Sequence, residues 1–163
     1  MTAIIIISAL VVVDQITKSL AYNYLREIGT IAITSFFSLT YVENRGAAFG
    51  MLYGARWFLI IISVVILGIL FKFYKSLGSN KGDKYVKVSI VLIAGGALGN
   101  FVDRLFSGFV IDFFHVTAVR FPVFNIADVL IVCGGIMFWV FVTFFSEEET
   151  PKEETNKEAK EEA

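Results

Sequence analysis

The sequence predicts an α-helical integral membrane protein: a four-transmembrane-helix bundle with a small extracytoplasmic β-sheet platform between helices 1 and 2. Three observations predict it. Hydrophobic residues make up 56% of the chain and aromatics 15%, with a mean hydropathy of +0.73, whereas a soluble domain carries about 45–50% apolar residues. Four apolar runs each reach about the 20 residues that a bilayer crossing requires. Between the first two of them the pattern changes to period two.

The formal charge of -1 says little, because the charges are segregated. Lys gathers between Lys72 and Lys87, and Glu crowds the chain from Glu147 onward. No basic surface points to nucleic acid. Cys133 is the single cysteine, so an internal disulfide and a cysteine-ligated zinc site are both excluded; it reads as a small apolar helix residue.

The first span covers about 3–24. A cleaved leader is the competing reading, but no Lys or Arg precedes the apolar run, and Asp14 and Lys18 would interrupt it before any cleavage site. Asp14 and Lys18 are spaced i,i+4 and can neutralise each other on one helical face. Across about 25–54, Ile31, Ile33, Phe37, Leu39 and Tyr41 alternate with Thr34, Ser38 and Thr40, as short strands of a half-apolar platform on the membrane surface would. The platform ends in Glu43-Asn44-Arg45-Gly46-Ala47-Ala48-Phe49-Gly50. There small residues allow close backbone approach, and Asn44 offers both a donor and an acceptor.

The second span, about 55–75, opens near Trp57, an interfacial aromatic, and ends at Lys72 and Lys75. A Gly/Lys-rich turn follows from Ser76 to Lys84. With Lys72, Lys75, Lys81, Lys84 and Lys87 around it, this turn is expected in the cytoplasm, which puts both termini there and the Asp112 loop outside. The third span, about 86–106, carries Gly95, Gly96 and Gly99 for tight helix packing. At its outer end Asn100, Asp103 and Arg104 share a face, and Arg104 is expected to pair with Asp103. His115 follows in the outer loop, where it lacks companions for a metal.

The fourth span, about 123–145, carries Asn125 and Asp128 one turn apart. A carboxylate in a membrane helix costs from about 3 to more than 10 kcal/mol, so it calls for a role. Asp112, in Val110-Ile111-Asp112-Phe113-Phe114, is the acid placed to fold back onto it. Residues 1–145 form one domain; 146–163 is a polar tail without an apolar face, expected to be disordered and cytoplasmic.

Asp14-Gln15-Ile16-Thr17-Lys18, Asn44-Arg45-Gly46-Ala47-Ala48-Phe49, Gly99-Asn100-Phe101-Val102-Asp103-Arg104, Val110-Ile111-Asp112-Phe113 and Phe124-Asn125-Ile126-Ala127-Asp128, in this order among four spans, resemble the bacterial lipoprotein signal peptidases, or signal peptidase II. The resemblance covers the chain to about Phe145. It implies Asp112 and Asp128 as the catalytic pair of an aspartyl endopeptidase, with Asn44, Asn100, Arg104 and Asn125 around the active site. It implies structural roles for the charges of Asp14, Lys18 and Asp103. It also implies a substrate, a prolipoprotein with a diacylglyceryl-modified lipobox cysteine, cut just before that cysteine. Neither a metal nor another cofactor is expected. The partners are then substrate and membrane lipids, with the chain acting as a monomer in the bacterial cell membrane.

Two acids brought together cannot both ionise cheaply, so such a pair shares a proton and can activate water while protonating the scissile carbonyl. Two other classes remain open on the residues alone. Asp14, Asp103, Asp112 and Asp128 could line a proton or cation relay in a small transporter or channel subunit. Alternatively, the polar residues could serve only helix packing in a lipid-binding or assembly protein.

Overall fold

The computed structural model describes residues 1–47 and 51–145. Ala48 and Phe49 of the motif that begins at Asn44, Gly50 after them, and the acidic tail lie outside the described residues. The chain opens with α1 (Thr2–Leu20), a π-helical turn over Ala21–Leu25 and the short α2 (Arg26–Ile28). Gly29, with φ of 86°, ends this run, in a left-handed conformation that suits glycine. Strands β1 (Ile31–Ala32) and β2 (Phe37–Asn44) follow, then α3 (Arg56–Ser76), α4 (Lys81–Phe106), β3 (Val110–Val116) and α5 (Ile126–Phe145). Among the described residues four helical segments are long and apolar enough to cross a membrane: Thr2–Ile28, Arg56–Ser76, Gly82–Phe106 and Ile126–Phe144.

Helix α4 is the centre of the bundle. Half of its apolar window is buried inside the protein, against 11% in each of the other three. Those three turn Ile61, Ile69, Val132, Trp139 and similar side chains outward, a surface suited to lipid and not to water. Close approach to α4 depends on its glycines. A Cβ on Gly96 would lie 2.3 Å from the Ala127 carbonyl oxygen, and one on Gly99 2.5 Å from Asp14 Oδ2. Small residues at such contacts let helix backbones touch where no hydrophobic drive separates lipid from protein.

The sheet is antiparallel in the order β1-β2-β3. The platform is therefore not confined to 25–54, because its third strand comes from the segment after the third span. Val110 to Val116, expected within the outer loop, pairs with β2 along most of its length. Leu39 faces Phe114 while Val42 faces Asp112, so three steps along β2 match two along β3. An extra residue of this kind bends a strand and re-aims its side chains. An isolated bridge joins Phe114 to Phe124, which brings the entry of α5 against β3. Beneath the sheet, Ala21, Leu25 and Phe113 form a buried cluster with Leu39, Tyr41, Ile111, Phe114 and Ile126 packed on it. The odd residues Leu39 and Tyr41 do face this core, but Ile31 and Ile33 are exposed.

Other boundaries move for local reasons. Helix α4 starts five residues before the expected 86, because Asn80 caps it by accepting from the Asp83 N–H at 2.6 Å. Helix α5 starts at Ile126 and not at 123, since Phe124 is engaged in the bridge and Asn125 becomes the cap. Cys133 lies on α5 and is exposed.

Candidate active site

Sequence and local geometry make the entry of α5 a capping box. Asn125 Oδ1 accepts from the Asp128 N–H at 3.0 Å, and Asp128 Oδ2 accepts from the Asn125 N–H at 3.1 Å, two orphan donors satisfied reciprocally. The acid that made the fourth span conspicuous thus sits in the first turn, at the positive end of the helix. Asn125 is fully buried, and its Nδ2 donates across to Asp112 Oδ1 at 2.6 Å. One residue therefore holds both acids.

Each remaining carboxylate oxygen meets another amide. Asn44, at the end of β2, donates to Asp112 Oδ2 at 2.9 Å, and its own Oδ1 accepts from the Gly46 N–H at 3.0 Å. Asn100, on α4, donates to Asp128 Oδ1 at 2.8 Å. Asp112 is 2% exposed; burial pushes its carboxyl up to about 6, the negative charge of Asp128 acts in the same direction, and the amides of Asn44 and Asn125 oppose both. The two acids are thus close enough to couple electrically.

Arg104 lies one turn along α4 from Asn100. Its guanidinium donates to the Gly46 carbonyl at 3.0 Å and to the Asn100 carbonyl at 3.4 Å, tying the segment after β2 to the helix. The expected Asp103–Arg104 pair does not form. Asp103 Oδ2 instead lies 2.8 Å from Lys18 Nζ, which also lies 2.8 Å from Asp14 Oδ2 and 2.9 Å from Asn100 Oδ1. Asp14 and Lys18 form the expected ion pair, at 0% and 1% exposure. Asp14 Oδ1 goes further and accepts from the Ala127 N–H at 3.0 Å, satisfying one more donor of the α5 terminus.

Several contributors were not singled out from the sequence. Gln15 Nε2 donates to Asp103 Oδ1 at 2.9 Å, to Asp14 Oδ2 at 3.2 Å and to the Gly99 carbonyl at 3.3 Å. Its place beside Asp14 in the first motif was the available signal. Arg56 donates to the carbonyls of Arg104 and Leu105 at 2.7 and 2.8 Å and so closes the C-terminal end of α4. An open cleft of about 530 Å³ leads to Asp112, lined also by Asn44, Arg45, Tyr53, Arg120 and Val123 among others. Tyr53 and Arg120 lie in connecting segments without periodicity, where no pattern marked them.

The arrangement suits acid–base chemistry on a bound substrate: two carboxylates bridged by Asn125 and ordered by amides, with Asp112 on the wall of an open cleft. Among the described residues no three His, Cys, Asp or Glu side chains converge as metal ligands. His115 lies on β3, not in a loop, with its Nδ1 3.4 Å from Ser38 Oγ. Neither residue of that pair lines the cleft.

A family model described as signal peptidase (SPase) II matches residues 6–144. Over 146 residues the chain is 42% identical to a lipoprotein signal peptidase of Clostridioides difficile (strain 630), covering 89% of this chain and 97% of that one. A lipoprotein signal peptidase of Caldanaerobacter subterraneus subsp. tengcongensis is 44% identical over 144 residues, covering 87% and 96%. Among solved structures, a bacterial membrane enzyme matches with a TM-score of 0.82 and 32% identity over 93% of each chain.

Proposed function

This chain belongs to the signal peptidase II family, and from that premise we propose that it cuts prolipoproteins just before a diacylglyceryl-modified cysteine, with Asp112 and Asp128 activating the water. The family makes it an aspartic-type peptidase that acts on lipoprotein signal peptides. The observation that carries the finer assignment is Asn125, which holds Asp112 through its side chain and Asp128 through its backbone.

In the proposed mechanism the pair holds one proton. The ionised member takes a proton from the attacking water, and the protonated member donates to the scissile carbonyl oxygen as charge develops there. The pair titrates as a unit. Asn44, Asn100 and Asn125 keep the carboxylates oriented, and Arg104 fixes the segment after β2 that borders the cleft. The substrate backbone enters that cleft, while its acyl chains lie against the outward apolar faces of the helices. The same proposal has the sheet outside the bacterial cell membrane, both termini in the cytoplasm and the chain acting as a monomer.

The decisive experiment is cleavage of a synthetic diacylglyceryl prolipoprotein peptide by purified protein, with the unlipidated peptide as control. Cleavage of the lipidated peptide alone, just before the cysteine, is expected. Equal cleavage of both, or none of either, would sink the substrate assignment. Reporter fusions at Ser79 and Thr117 test the orientation: the first is expected to read cytoplasmic and the second external.

A further inference from the structure

Among the described residues four hydrogen bonds reach the Asp112 and Asp128 oxygens, and three of them come from side-chain amides: Asn44, Asn100 and Asn125. A primary amide has a donating end and an accepting end of nearly the same shape. Turned over, it would present oxygen to a carboxylate and repel it. Each of the three amides must therefore be held the right way round by something that touches its oxygen.

For two of them that contact is backbone. Asn44 Oδ1 accepts from the Gly46 N–H, and Asn125 Oδ1 from the Asp128 N–H, each at 3.0 Å. Asn100 differs. Its Oδ1 receives Lys18 Nζ at 2.9 Å, from another helix. The second donor onto it, Asn125 Nδ2 at 3.3 Å, sits much closer to Asp112, at 2.6 Å. Lys18 carries donors only, so a reversed Asn100 would set its NH₂ against an ammonium.

We infer that Lys18 is a positioning residue for the reaction: by pinning Asn100 Oδ1, it forces Asn100 Nδ2 to donate to Asp128. This inference rests on Asp112 and Asp128 being the catalytic pair. It goes beyond a role in neutralising Asp14 and Asp103, because a charge-balancing cation has no need to touch Asn100.

The test separates charge from hydrogen bonding. In an Asp14→Asn background, Lys18→Met leaves the cluster at the net charge it has natively, with Asp103 as its one remaining charge. With purified full chain and the lipidated peptide, kcat is expected to fall on the order of 100-fold while KM stays nearly constant, the effect of a misaligned reacting group. Lys18→Gln in the same background keeps an uncharged N–H donor for Asn100 Oδ1 and should restore most of kcat. If glutamine and methionine are equally poor, Lys18 acts as charge alone and the inference is overturned. Should the methionine variant not fold, the glutamine variant decides: kcat near that of Asp14→Asn supports the inference, and a 100-fold loss overturns it.

A second comparison uses Asn100→Ser, whose hydroxyl can donate or accept in any direction. There Lys18→Met should add no more than about a twofold loss, because the two residues act through one contact. Losses that multiply would place Lys18 on a separate footing and end the inference. Asp128→Asn is run alongside. Retained cleavage in that variant would remove the dyad assignment and this inference with it. An inactive Asp128→Asn with multiplying Lys18 losses would remove this inference alone.

Discussion

Two groups of acids lie a few residues apart at one end of the bundle, and they are held in opposite ways. Asp14 and Asp103 share the Lys18 ammonium at 2.8 Å each, so one cation holds both. Asp112 and Asp128 form no ion pair among the described residues; they accept from neutral amides and one backbone N–H. A buried cation favours the ionised carboxylate directly, whereas around Asp112 burial and the charge of Asp128 outweigh the opposing amides and raise its carboxyl. The amides of Asn100 and Asn125 connect the groups without merging them.

The largest effect that would break this contrast is on catalysis. Asp112→Asn and Asp128→Asn should each lower kcat by at least about 10³-fold, within the range that acid–base groups supply, with melting temperature preserved or raised. A variant that still processes lipidated peptide at a near-normal rate would put the two groups of acids on the same footing.

Next comes stability at the other group. Lys18→Met, by leaving two buried carboxylates without their cation, should cost about 3–5 kcal/mol of stability, read as a lowered melting temperature in detergent. A loss under about 1 kcal/mol, typical of exposed pairs, would mean that the cluster is wetter than its burial indicates.

Asp112 should show the opposite sign. Its folded carboxyl is raised to about 6 from the usual 3.8, so the folded protein holds a proton that the unfolded chain gives up. Stability is then fully retained below about pH 4 and declines as pH rises toward about 6, by about 3 kcal/mol at most. Asp112→Asn should flatten that decline, which melting temperatures across pH would detect. A wild-type protein that grows more stable between pH 4 and 6, with the variant unchanged, would reverse the sign claimed here.

The smallest effect belongs to neither group. Cys133→Ala, on the exposed face of α5, should change stability by less than about 0.5 kcal/mol and leave kcat unaltered. A larger change would reveal a contact of that face with something other than lipid.

Much of the site was legible because charge is conspicuous in apolar sequence. Asp128 stood out for its cost in a span, and Asp14 and Lys18 for their helical spacing. The partner of Asp103 was not legible. Spacing along one helix offered Arg104, but distance through the bundle gave Lys18, because Gly99 lets Asp14 and its helix come close to α4. Nor was β3 legible as a strand. Val110, Asp112 and Phe113 are all buried, so no polar face alternates with an apolar one, and a short apolar run without alternation does not announce its conformation. The start of α5 was blurred for a related reason: Phe124 suits a helix or a bridge equally, and only its pairing with Phe114 decides.

By itself the sequence determined that four segments prefer lipid, where the platform begins and which acids stand in costly places. Those follow from transfer energies that add up locally along the chain. Which donor each acid received was decided only by the tertiary structure. Hydrogen bonds and ion pairs depend on separations of about 3 Å, and such separations between distant residues arise from glycine-mediated helix contacts, a bulged strand and one bridge.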